Sequence, residues 1–327
     1  MNFKLQMEKT NISSRTIDIY YSAYLKMLKK LKIDEKELFK VENIKLLEYH
    51  LNTFKELGTK MTTLCMMIKY CDLNDIENKC EIVKILKKRF KEIRKEKDKY
   101  YGKLTDNKKN NWVSWKKLQE VLQKSKDKFY SYNWEFWKDR GDYRMPMKQV
   151  VRETMILSMY LESEKNPPRR IKDYSRMRLA PLGVKSNELD PRFNWCSLYE
   201  KKFIFNDYKT SKTYKTQMVT INDKTLEYIR MYVEVWNVDN YFFKSSKNAD
   251  KPMSDAYLSH LIGDTLIKYG SKRLGASMLR NIFASNLLKD APIKNYINEI
   301  AYKMGTSRDM IMDIYRQNVD ENGELID

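Results

Sequence analysis

Ser277-Met278-Leu279-Arg280-Asn281, followed further on by Met304-Gly305-Thr306-Ser307 and then Ile314-Tyr315-Arg316, is the stretch on which the reading of this chain turns. A helix opening at Ser277 presents Arg280, and a later helical segment brings Tyr315 nine positions past Thr306. A guanidinium is planar, stays charged and forks onto two oxygens of an anion. A phenol is a weak nucleophile until its phenolate is stabilised or its proton removed. The chain has 23 tyrosines, and it is the spacing from Thr306 that favours Tyr315 over Tyr302 and Tyr296.

Two further pieces lie upstream. In Pro167-Pro168-Arg169-Arg170-Ile171-Lys172-Asp173-Tyr174 the prolines end a helix and turn the chain just ahead of two arginines. Tyr208-Lys209-Thr210-Ser211-Lys212 lies between 197–205 and 214–221, which are rich in β-branched and aromatic residues. That pattern predicts a β-hairpin with Lys209 near its tip.

These four pieces, in this order across half the chain, resemble the C-terminal half of the tyrosine recombinases, the phage-integrase-like family. The Pro-Pro-Arg-Arg box and the hairpin Tyr-Lys-Thr-Ser-Lys-Thr-Tyr-Lys-Thr-Gln are also similar to those of some integrases of large DNA viruses and virophages. The resemblance implies that Tyr315 attacks a scissile phosphate to form a 3′-phosphotyrosyl bond, that Arg170 and Arg280 hold the non-bridging oxygens, and that Lys209 protonates the departing 5′-oxygen. Lys212 and Lys215 are the substitutes for Lys209. Arg169 competes with Arg170, which is preferred because Asp173 then follows three residues later, where the family has an acid that buttresses the arginine. Ser277 stands where the family commonly has histidine, and Thr306 where it has histidine or tryptophan. A hydroxyl donates a hydrogen bond to phosphate but is a poor proton shuttle near neutrality. His260 precedes the motif and is left out of the site.

Composition agrees with a nucleic-acid partner. The formal net charge is +19, and clustered Lys and Arg gain free energy by releasing counterions condensed on a polyanion. The longest mainly apolar run, Met155 to Leu161, is too short to span a bilayer. Residues 1–9 carry no apolar signal-peptide core, so a cytosolic or nuclear setting is expected. The four cysteines, Cys65, Cys71, Cys80 and Cys196, are spaced neither for zinc nor for a disulfide scaffold. Two histidines and nine scattered glycines offer no His-rich metal centre and no phosphate-cradling loop. No cofactor, metal or ATP, is expected, although a magnesium nuclease built on carboxylates remains a competing reading.

Apolar positions recur at helical spacing behind Ser13, around Leu46 to Leu51, around Leu64 to Ile68, and from Ile82 to Ile93. They predict a helical domain over 1–100, similar to a core-binding domain, whose last helix is crowded with lysines from Lys84 to Lys99. A polar linker is expected over 101–111 and a catalytic domain over 112–327, opening with a helix capped by Ser114. The expected fold is therefore mostly α with a small β-sheet. The resemblance further implies double-stranded DNA as partner and a homo-tetramer on it, while the short tail after Tyr315 argues against a long C-terminal exchange helix. The competing functions are a type IB topoisomerase and a DNA-binding protein that has lost the reaction.

Overall fold

The computed structural model describes residues 3–33, 35–99, 104–162, 166–245, 248, 250–288, 294–320 and 322–326. Its contacts divide the chain into two compact units between residues 101 and 102.

The first unit is helical. Its main elements are α1 (Phe3–Glu8), α2 (Ser14–Leu31), α3 (Ile44–Asn52), α4 (Leu57–Leu73) and α5 (Lys79–Asp98). Ser13 caps α2 by accepting the Thr16 N–H, which satisfies a donor that has no partner inside the helix. Lys32 ends it in the left-handed region, returning its N–H to the Leu28 carbonyl. The helix α1 is additional to the four that periodicity predicts. It is too short to show a stripe and is held by tertiary contact, with the Phe3 ring edge-on to Tyr24 and Tyr70 at 5.1 Å each. On α5, Ile82, Leu86 and Ile93 are buried, whereas Lys84, Lys87, Lys88, Lys91, Arg94 and Lys95 are exposed.

The second unit is built around α8 (Met145–Leu161), which follows α6 (Trp115–Tyr130) and α7 (Trp134–Arg140). From Thr154 to Leu161 every residue of α8 is buried, as expected of a helix that is apolar all round. A four-stranded sheet comprises β1 (Arg178–Leu179), β2 (Trp195–Ser197), β3 (Lys202–Phe205) and β4 (Gln217–Thr220), in the order β1-β2-β3-β4. The β1/β2 pair is parallel and the others antiparallel. Helices α9 (Asp223–Val235), α10 (Asp255–Lys268), α11 (Ala276–Leu287) and α12 (Lys294–Lys303) complete the unit. The molecule is mostly α with a small sheet, as expected.

Three local expectations change. The stretch 197–205 is not one strand: it is the end of β2, a turn, and β3, with Lys201 at φ 54°. The loop from β3 to β4 is longer than a hairpin tip and carries a helical turn at Ser211–Tyr214. Of the expected linker, residues 101–103 lie outside the described residues, and the remainder includes the helical turn Asp106–Asn110. Leu104 packs against the core of the second unit, and Lys272 Nζ donates to the Asn110 carbonyl at 2.8 Å.

The chain beyond Tyr315 folds back on itself. Ile326 N–H donates to the Asn318 carbonyl at 3.0 Å, Asp320 N–H to the Glu324 carbonyl at 2.9 Å, and Gly323 takes φ +80° between them. The buried Trp112 indole N–H donates to the Gly323 carbonyl at 3.0 Å. Trp112→Phe keeps most of the ring and removes this bond. The expected result is a loss of about 1 kcal/mol in urea unfolding, with earlier proteolytic cutting in the tail.

Candidate active site

Residues 168–170, the turn 304–306, the start of α11 and the segment ending at Tyr315 converge in the second unit. Arg170 stands at the entrance to the helical turn Ile171–Ser175 with extended backbone, φ −71° and ψ 149°. Its Nη1 donates to the Gly305 carbonyl at 2.6 Å. Thr210 Oγ1 donates to the same oxygen at 3.2 Å. One carbonyl thus ties the arginine arm to the loop that carries Lys209.

Arg280 lies on the first turns of α11 and is 1% exposed. Its Nη1 donates to the Met304 carbonyl at 2.9 Å and the Pro168 carbonyl at 3.3 Å, and its Nη2 donates to the Tyr315 hydroxyl at 3.0 Å. The guanidinium also lies over the Tyr315 ring, 4.7 Å from its centroid. Its Nε–H is buried and meets no acceptor among the described residues.

The nucleophile candidate ends a π-helical turn, Ile311–Tyr315, that follows a single α-turn at Arg308–Met310. The expected later helix is therefore only these two turns. Burial pushes the Tyr315 phenol upward, but the charges of Arg280 and Arg170, with the hydrogen bond from Arg280, outweigh it and bring the phenol below its ordinary value. Thr306 Oγ1 is buried and near enough to act on the phenol, yet by geometry it completes no hydrogen bond to any described group. The contrast with other buried tyrosines is informative: Tyr160, Tyr174 and Tyr232 are all pushed upward by burial. Tyr315 is displaced downward instead.

Asp173 does not buttress Arg170. Its carboxylate pairs with Arg169 Nε at 3.0 Å, and both side chains are essentially inaccessible, at 1% and 0% exposure. Arg169 also donates to Gln217 Oε1 at 3.0 Å and the Lys303 carbonyl at 2.8 Å, and it stacks 3.7 Å from the Phe205 centroid. The preference for Arg170 thus loses the reason given for it, because the acid serves Arg169. Arg170 is nonetheless the arginine whose charge acts on Tyr315 and Arg280.

The remaining candidates are placed as follows. Ser277 is exposed at the start of α11. Lys209, Lys212 and Lys215 are all exposed in the β3–β4 loop, outside the Arg170–Arg280–Tyr315 contacts. Tyr302 accepts the Met218 N–H at 3.2 Å instead of facing Arg280. His260 is exposed on α10 against Arg273, which also pairs with Asp264. Sequence reasoning missed Gly305 as a hub. Its φ is +63°, and a Cβ there would run into the Arg169 guanidinium. Its position in a Gly-Thr-Ser turn was the available signal.

No salt bridge reaches Arg170 or Arg280 among the described residues. Two guanidiniums that act on each other, with Asp173 already engaged by Arg169, form a site of surplus positive charge suited to an oxyanion such as phosphate.

No family model and no curated protein matches the sequence. Among solved structures the chain is similar to a XerA recombinase, with a TM-score of 0.42 and 14% identity over 98% of this chain and 93% of that one. It is also similar to the integrase from mycobacterium phage Brujita, with a TM-score of 0.32 and 13% identity over 94% and 85%. At these values the likeness carries no argument, and the functional reading rests on the site.

Two outcomes are expected. Asp173→Asn leaves the Arg169 charge buried without its counter-ion and costs about 3–5 kcal/mol in urea unfolding. An ultraviolet difference titration of the wild type against Tyr315→Phe shows one phenol ionising below pH 10.0, the direction set by the two arginines; a step at or above that pH would contradict the electrostatics described.

Proposed function

We propose that the chain is a DNA strand-exchange enzyme of the tyrosine recombinase type. It cuts and rejoins duplex DNA through a 3′-phosphotyrosyl intermediate, serves as the integrase of a virus or mobile element, and works as a homo-tetramer on its DNA. The observation that supports this best is the buried Tyr315 hydroxyl bonded to Arg280, with Arg170 acting on the same phenol.

In the forward step the Tyr315 phenol gives its proton to water, its oxygen forms a bond to the scissile phosphorus, and the bond from phosphorus to the 5′-oxygen breaks. The leaving oxygen takes a proton from Lys209. The ester energy stays in the phosphotyrosyl bond, so a 5′-hydroxyl from another strand reverses the step without ATP. Arg170 and Arg280 neutralise the charge that develops on the non-bridging oxygens, for which the free Arg280 Nε–H is a ready donor. Ser277 and Thr306 supply hydroxyl hydrogen bonds. The net charge of +19 and the exposed lysines of α5 support a duplex DNA partner, with those lysines on phosphates.

The test is a nicked duplex or Holliday junction incubated with the protein in EDTA. A protease-sensitive covalent adduct is expected, absent in Tyr315→Phe and slowed roughly 10²–10³-fold in Arg280→Lys. Cleavage that forms no adduct and that EDTA abolishes would favour carboxylate-held metal chemistry instead. Tight binding with no adduct on matched element-end DNA would assign a non-catalytic DNA-binding role.

A further inference from the structure

Ser285 is fully buried on α11, five residues beyond Arg280. It is a polar side chain in an apolar stretch of helix, and its bonds reach across to the tyrosine segment. The Gln317 N–H donates to Ser285 Oγ at 2.7 Å. The Ser285 hydroxyl has one proton and two acceptors for it, the Asn281 carbonyl at 2.8 Å on its own helix and the Tyr315 carbonyl at 3.2 Å. The backbone is therefore gripped on both sides of Arg316.

The segment so gripped has little to hold it from within. It is a three-residue α-turn followed by one π-turn, closed by Arg316 N–H to the Ile311 carbonyl at 2.9 Å. Helical pieces of this length do not persist without tertiary support, and π-turns recur where a side chain must be aimed. The partner of the phenol, Arg280, belongs to the same rigid helix as Ser285. That helix consequently sets both ends of one distance: it supplies the guanidinium at 3.0 Å from the Tyr315 hydroxyl and fixes the backbone from which the hydroxyl projects.

We infer that Ser285 is a positioning residue for Tyr315, a clamp that holds the π-turn in register with Arg280 so that the phenol stays against the guanidinium. This rests on the reading of Tyr315 as the nucleophile. It assigns Ser285 no contact with the DNA or the reacting atoms.

The experiment pairs two substitutions that break the same bond from opposite sides. Ser285→Ala removes the hydroxyl. Gln317→Pro removes the N–H, and the preceding Arg316, at φ −67° and ψ 129°, already has the extended backbone that a following proline requires; because it also removes the side-chain amide that donates to the Ile314 and Arg316 carbonyls, Gln317→Ala, which keeps the N–H, is its control. Ser285→Thr keeps the hydroxyl and serves as the rescue. Three quantities are read in the full chain: DNA affinity, the single-turnover rate of adduct formation on nicked duplex, and the titration of Tyr315, taken as the difference from the same variant carrying Tyr315→Phe.

The clamp predicts unchanged DNA affinity, adduct formation slowed on the order of 10–100-fold, and a Tyr315 titration moved upward in both broken variants, with return towards wild type in Ser285→Thr. Wild-type rate and wild-type titration in either folded variant would overturn it. Should the alanine variant not fold, Gln317→Pro decides by the same readings. Should the wild type itself form no adduct, the strand-cutting reading fails separately, and the titration still decides the clamp: an upward move keeps it and an unmoved one removes it.

Discussion

The buried ion pair of Arg169 and Asp173 is the interaction on which the rest of the site depends. A guanidinium at 1% exposure needs a counter-charge to be tolerable. Arg169 finds it in Asp173 and has further acceptors in Gln217 and the Lys303 carbonyl, with the Phe205 ring beneath it, while its Nη2 meets no acceptor among the described residues. These partners come from the helical turn Ile171–Ser175, from β3 and β4, and from the end of α12, so one side chain pins three regions of the unit together. Gly305 passes so close to it that no Cβ fits, and its φ of +63° is open to glycine at little cost. The Gly305 carbonyl is thereby aimed at Arg170 and Thr210. Arg170 is thus bonded to a carbonyl whose loop packs directly on its neighbour Arg169.

The same pair creates an electrostatic imbalance. Asp173 is paired with Arg169 and acts on Arg280 only from a distance, whereas Arg170 and Arg280 act on each other unfavourably. Burial also disfavours the charge on Arg280 and draws its pKa down from the ordinary value. The protein holds the arrangement with carbonyls from Pro168 and Met304, which orient the guanidinium but cannot cancel its charge. Such a site favours an anion, whether the Tyr315 phenolate or an incoming phosphate, and it needs little reorganisation when negative charge develops.

Much of this was legible in the sequence. The helices capped by Ser13 and Ser114 begin where serine followed by a regular apolar stripe predicts them, because local hydrogen bonding and periodicity are properties of neighbouring residues. Arg280 and Tyr315 were identifiable as members of motifs, and the structure brings them to 3.0 Å. The partner of Asp173 was not legible: spacings of three and four are both within reach in a helical turn, and the outcome depends on which arginine finds Gln217 and Phe205, residues far along the chain. Ser285 was equally hidden, since a serine within an apolar helix says nothing about a backbone 32 residues later. The division of 197–205 into two strands turns on Lys201 adopting φ 54°, a conformation that its residue type does not advertise.

Under the proposed chemistry, the hydroxyls at positions 277 and 306 leave an open question about the proton on Tyr315, which the electrostatics answer. A serine or threonine hydroxyl is not a base near neutrality, and Ser277 is exposed while Thr306 is buried beside the phenol. His260 faces Arg273 instead. Among the described residues the phenol's side-chain partner is Arg280, and the two guanidiniums lower the pKa of Tyr315 although burial alone would raise it, as it does for Tyr160 and Tyr174. The direction is that of a phenol made easier to ionise by arginine charge, with water taking its proton. Under that chemistry the reactivity of Tyr315 depends on its distance to Arg280, and the backbone grip on the π-turn bears on the reaction through that distance.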